Sequence, residues 1–155
     1  MGFSEKMRDS LGAEGARLEV QPPTAAIEPG ANAPLSVVII GGSKPAAVDA
    51  LVVRLLESLR HWIDGDGATI SEADAKARAD AELVPSWTKT TLAERRIAVG
   101  TTVEPGQRHE IAVELAIPEG VLPSSPARTH TVLVQADIKG QIDPTGQARI
   151  IVGGG

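Results

Sequence analysis

The sequence predicts an all-β protein, an antiparallel β-sandwich. Three observations point there. Several stretches alternate apolar and polar residues with a period of two, the pattern of half-buried strands. The 155 residues include 16 Gly and 11 Pro, a load that suits turns rather than long helices. With one Phe, two Trp and no Tyr, the core must be built from Val, Ile, Leu and Ala. Val and Ile favour strands because a branched Cβ packs well on a pleated surface.

Taken in order, the chain opens on an amphipathic stretch. Phe3, Met7 and Leu11 recur every four residues and predict a short terminal helix or arm over residues 1–14, with Ser4 as its cap. A body over residues 15–155 follows. Ala16–Gln21 alternates, with Leu18 and Val20 on one side and Arg17, Glu19 and Gln21 on the other, until Pro22-Pro23 ends the strand. Glu28-Pro29-Gly30 predicts a type II turn: Pro29 presets φ at its second position and Gly30 accepts the positive φ of the third. The apolar run Leu35–Ile40 predicts a strand buried on both faces, stopped by Gly41-Gly42.

Val48–Trp62 fits two readings. Leu51, Leu55, Leu59 and Trp62 would line one face of a helix. As a strand, Val48, Ala50, Val52 and Arg54 would share a face. Residues 63–86 then look like an exposed insertion, helical or loose, with Ser71 as N-cap and acids in the first turn after it. Thr88–Val99 resumes β character.

A second turn, Glu104-Pro105-Gly106, repeats the first. The two units suggest two strands entering similar positions, and two units fall short of the three a solenoid needs. His109, Ile111, Val113, Leu115 and Ile117 predict the clearest half-buried strand; Pro118–Pro126 is a proline-rich loop. His130, Val132, Val134, Ala136 and Ile138 predict another strand. Residues 140–146 form a turn, and Arg149–Val152 a last strand.

Charge and composition exclude several functions. There are 15 Lys+Arg against 20 Asp+Glu, a net charge of −5 and a pI near 5.2. That balance argues against a nucleic-acid binder, which needs a basic stripe. Zero cysteine excludes a disulfide scaffold, a thiolate zinc site and a cysteine nucleophile. The first twelve residues lack the apolar core of a signal peptide, and no apolar run reaches the ~18 residues of a membrane span, so the chain reads as cytoplasmic. Gly2 lacks the Ser or Thr at position 6 of a myristoylation motif, where Lys6 stands.

No motif carries recognisable catalysis. His61, His109 and His130 have no metalloprotease spacing; His109 and His130 fall on apolar strand faces or at their mouths and read as histidines at a sheet edge. Asp64-Gly65-Asp66-Gly67 lacks the later acids of a calcium loop and reads as a turn. Gly41-Gly42-Ser43-Lys44 lacks the first Gly of a phosphate loop and runs into Pro45. Ser124-Ser125 has no glycine elbow around it. No catalytic, cofactor or metal residue is assigned. Pro29, Gly30, Pro105 and Gly106 are singled out as structural turns. Convergence of a histidine with carboxylates in a pocket would bring an enzyme back into view.

The order of these pieces resembles the bacterial sporulation-control proteins of the stage-zero M type, which share their fold with arrestins. The resemblance rests on Gly15–Val20 after a short helix, Ile27–Gly30 followed by Val37–Gly42, and Val48–Leu56. It continues through Thr88–Thr90, Leu92–Glu94, Glu104–Gly106, Ile117-Pro118 and Ala136–Pro144. It implies an arrestin-like sandwich, a strand at Val48–Leu56, no enzyme activity and no cofactor. It also implies a cytoplasmic, sporulation-linked regulator acting through protein contacts. Members of the family usually carry a further region of comparable size, a second arrestin-like half.

The leading expectation is therefore a non-catalytic adaptor that binds a protein partner at an exposed sheet edge or face, with homodimerisation through the same edge open to it. The acidic balance favours a basic partner. The alternative is a small-ligand or carbohydrate-binding β-sandwich, for which Trp62 and Trp87 offer little stacking surface; Trp87 reads as a core or loop anchor.

Overall fold

The computed structural model describes residues 15–77 and 83–153. The helix expected over 1–14 lies outside them. The remainder is a sandwich of two antiparallel sheets. Strands β1 (Arg17–Gln21), β2 (Asn32–Ile40) and β6 (Arg108–Ala116) form one, in the order β1-β2-β6. The other is built on β3 (Ala46–Ile63), which pairs with β5 (Val84–Val103) on one side and β7 (Arg128–Ile138) on the other; β8 (Thr145–Ile150) flanks β7.

The core lies between the sheets. Leu35, Val37, Ile39, Val113 and Leu115 meet Leu51, Val53, Leu55, Val132, Val134 and Ala136 there. All are buried, because each sits on the inward phase of its strand. Val38 is buried as well, so the centre of β2 is covered on both faces.

The two Pro-Gly turns occupy opposite ends of one strand pair. Ala31 N–H donates to Glu28 O at 3.0 Å and Gln107 N–H to Glu104 O at 3.0 Å. Gly30 and Gly106 take φ of +87° and +74° at the third turn position, where a Cβ would be strained. The first turn leads into β2 and grips the end of β6, Gly30 N–H donating to Ile117 O at 2.8 Å. The second leads into β6 and grips the end of β2, with Gly106 N–H to Gly41 O at 3.3 Å and Gly41 N–H to Gln107 O at 2.8 Å. A Cβ on Gly41 would stand 2.0 Å from Glu104 O, so the tight approach needs glycine. The repeated sequence unit is thus a local two-fold arrangement of antiparallel neighbours.

Three expectations are corrected in part. Val48–Trp62 is a strand throughout, within the 18 residues of β3, but its faces differ from simple alternation. A bulge at Asp49, between the pairs Val48–Ile138 and Ala50–Asp137, shifts the phase. Leu51, Val53 and Leu55 therefore face the core, and Val52 and Arg54 are only half-buried. The insertion over 63–86 is also not loose at its ends. β3 runs to Ile63 and β5 starts at Val84, and the two pair as far as Ile63–Val84. Between them stand β4 (Thr69–Ile70), paired back onto Trp62 and Ile63, and helix α1 (Glu72–Lys76). Ser71 caps that helix, its hydroxyl accepting Asp74 N–H at 3.2 Å. The last strand also starts earlier than expected, at Thr145.

Candidate functional site

Two regions gather polar chemistry. The first is the far half of the β3–β5 ribbon, which outruns the sandwich. No residue of β3 after Leu55 is buried, and in β5 only Val103 is. Arg60 faces Trp87 across the pair, and Trp62 lies two residues on, on the same face. The Arg60 guanidinium lies 5.3 Å from the Trp62 ring centre and 5.9 Å from that of Trp87, within cation–π range of both. Glu72 of α1 closes the cluster. It accepts two hydrogen bonds from Arg60 and one of 2.7 Å from the Trp62 indole N–H. The hydrogen bonds from Arg60, then that from Trp62, hold the Glu72 carboxyl below the usual carboxylate range; the Arg60 pKa is raised in return by the same carboxylate.

Trp87 is 46% exposed on a strand, so it anchors neither core nor loop. The guanidinium lies over both tryptophan rings, on faces a sugar would otherwise stack against. Among the described residues β5 pairs with β3 alone, and most of its 20 residues are exposed.

The second region lies at one end of the core, where the apolar stripes of β3 and β7 turn polar. Glu57 follows Leu51, Val53 and Leu55 on the inner phase of β3. His130 precedes Val132 and Val134 on the inner phase of β7 and pairs directly with Glu57. His130 is fully buried in a strand with neighbours on both sides, so the sheet-edge reading fails for it. It holds for His109, on the edge strand β6; His61 sits in the ribbon, 3.3 Å from Thr88 Oγ1.

Ser124 completes this second group from the proline-rich loop. Its Oγ lies 2.7 Å from His130 Nδ1 and accepts Val152 N–H at 2.9 Å. Val152 N–H donates, which leaves Ser124 Oγ both a lone pair and its own hydrogen for the His130 contact, so that bond runs in either direction with the ring tautomer. Nε2 faces Glu57 Oε2 at 3.5 Å, an electrostatic contact too long for a firm hydrogen bond, and Nε2 has no nearer partner. Arg128 Nε stands 3.5 Å from the same oxygen. Burial lowers the His130 pKa; the Glu57 charge opposes that and the Arg128 charge adds to it. An open pocket of about 270 Å³ adjoins Ser124 and His130.

Sequence reasoning named His130 and Ser124 separately and missed Glu57. The bulge at Asp49 hid it, since uninterrupted alternation puts Glu57 on the outer face with Val53 and Leu55. No group of His, Asp and Glu suited to a metal ion occurs among the described residues. Among them, no helix is long and apolar enough to cross a membrane, which leaves β-barrels untouched.

Comparison with known proteins then decides the family. The family model for Spo0M, described as SpoOM protein, matches residues 4–153. The chain belongs to the Spo0M family. Among solved structures it is similar to Spo0M, the sporulation control protein of Bacillus subtilis, with a TM-score of 0.70 and 19% identity. That match covers 91% of this chain and 50% of the Bacillus protein, so the chain spans about half its length. Weaker fold-level matches include the CARDB domain of a Pyrococcus furiosus protein, at TM-score 0.42 and 9% identity, covering 93% of this chain and 92% of that one. A DUF4466 family protein from Parabacteroides merdae matches at TM-score 0.47 and 10% identity, covering 90% and 46%. No curated protein matches. The family model places the chain with Spo0M, and the structural match shows that it shares the sandwich fold of the Bacillus protein.

Proposed function

We propose that the chain is a cytoplasmic regulator that works by holding an extended segment of a protein partner along the outer edge of β5. The observation that carries this reading is the length and exposure of that strand: 20 residues with one neighbouring strand among the described residues, mostly exposed from Val84 onward. Such an edge presents unpaired N–H and C=O groups to an incoming strand. The edge carries Lys89, Arg95 and Arg96 against Glu94, so it favours an uncharged or acidic segment. The whole-chain charge, read alone, suggested a basic one.

Site-specific photocrosslinking in the native host tests the proposal. A photoreactive residue at Thr90, exposed on β5, is expected to yield one discrete crosslinked protein, and the same residue at Glu19, exposed on β1, none. Equal crosslinking from both positions, or none from Thr90, sinks the reading.

A further inference from the structure

The buried histidine cluster goes beyond the adaptor reading and does not depend on it. We propose that Ser124, His130 and Glu57 form a nucleophile, base and orienting acid that accept an acyl group from a small activated ester. A structural latch would account for Ser124 bonding to His130 and Val152. It leaves unexplained why the opposite ring nitrogen, fully buried, faces a carboxylate without a firm hydrogen bond, and why Ser124 and His130 both line an open pocket.

The arrangement fits nucleophilic activation. Ser124 Oγ lies 2.7 Å from Nδ1, within reach to pass it a proton in the tautomer that carries the ring hydrogen on Nε2. When that nitrogen takes the proton, the ring becomes cationic, and Glu57 stands opposite Nε2 to stabilise it. Contacts of this kind are commonly long before substrate binds. The pocket wall includes Pro126 and Ile151, apolar surface for a short acyl chain, and Arg128 and Arg149, positive charge for an oxyanion.

The step balances. Ser124 Oγ attacks the ester carbonyl carbon and passes its proton to His130 Nδ1. The bond to the alkoxy oxygen breaks, and the leaving alcohol takes that proton. Water then hydrolyses the acyl-serine, returning the serine and releasing the acid.

A fluorophosphonate probe on the intact chain provides the test, since Ser124 Oγ would displace fluoride and keep the phosphoryl group. The expected result is one adduct, mapped by peptide mass to Ser124 and absent in Ser124→Ala. His130→Gln is expected to slow labelling about 10²-fold or more. Because that variant replaces a buried side chain, the wild-type pH profile serves as a second readout. The groups facing His130 are Glu57 from β3 and Arg128 from β7 itself, with Arg149 of β8 in the pocket wall. Labelling should rise with pH through a single ionisation below the ordinary histidine value. Glu57→Gln, which removes the charge favouring the protonated ring, should move that midpoint lower. Folded wild type that takes no adduct at Ser124, or labels at a rate indifferent to pH, overturns the proposal.

Discussion

The sandwich body and the projecting ribbon share two strands and differ in almost everything that stabilises them. Within the body, β3 places Leu51, Val53 and Leu55 in a core with no exposed surface. Beyond Leu55 the same strand buries nothing, and Leu59 is 37% exposed. The ribbon is held by the backbone ladders of β3 with β5 and β4, by the His61–Thr88 contact and by the polar cluster of Arg60, Glu72 and the two tryptophans. A continuous strand can therefore belong to two energetic regimes, because hydrogen bonding propagates along it while burial does not.

Truncating one leucine in each regime gives the largest contrast. Leu55→Ala leaves a cavity in a core that cannot fully collapse, and should cost about 2–5 kcal/mol. Leu59→Ala lies on the same strand, four residues on, and should stay within about 0.5–1 kcal/mol. Chemical denaturation of both variants checks this. Equal losses would mean that the ribbon packs as tightly as the body, and the distinction would collapse.

The turns sharpen the comparison within the body. Gly30→Ala and Gly106→Ala each force a side chain into left-handed backbone, at about 1–2 kcal/mol. Gly30 should be the costlier of the two, since its Cβ would stand 3.2 Å from Glu119 Cγ, while nothing lies within 4 Å at Gly106. The difference in denaturation midpoint between the two variants measures that contact.

How much of this was legible in the sequence follows the same divide. The strand around Val113 and Leu115 and that around Val132 and Val134 are plain, because one buried face imposes strict alternation. The turns at Pro29-Gly30 and Pro105-Gly106 are plain because φ itself constrains the residue. β3 is harder. A bulge at Asp49 breaks the period, and a strand leaving its core keeps no apolar stripe, so Glu57 and the ribbon escape pattern reading. The candidate site was half visible. His130 sits in phase with four apolar residues, but its partners come from a loop and from a phase-shifted strand, and only folding brings them together. The tryptophans were visible as residues, and their shared guanidinium was not, since it depends on the register Arg60–Trp87.

The smallest expected effect isolates the ribbon. Glu72 joins α1 to Arg60 and Trp62, and its carboxyl lies below the usual carboxylate range because both donors favour the charged form. Since the folded pKa is depressed, what Glu72 adds to the order of the ribbon tip is fully present above the unfolded value of about 4.3. It is lost as pH falls through the lower folded value. Acid titration followed by tryptophan fluorescence should therefore show a transition below about pH 4.3 in the wild type. In Glu72→Gln that transition should be missing, and the spectrum at neutral pH should already resemble the acid form. The thermal midpoint of the body should be unchanged, because among the described residues the hydrogen bonds of the Glu72 carboxylate go to Arg60 and Trp62 of the ribbon. A fall in that midpoint would show that the ribbon and the sandwich unfold as one unit, and that the polar cluster supports the core from a distance.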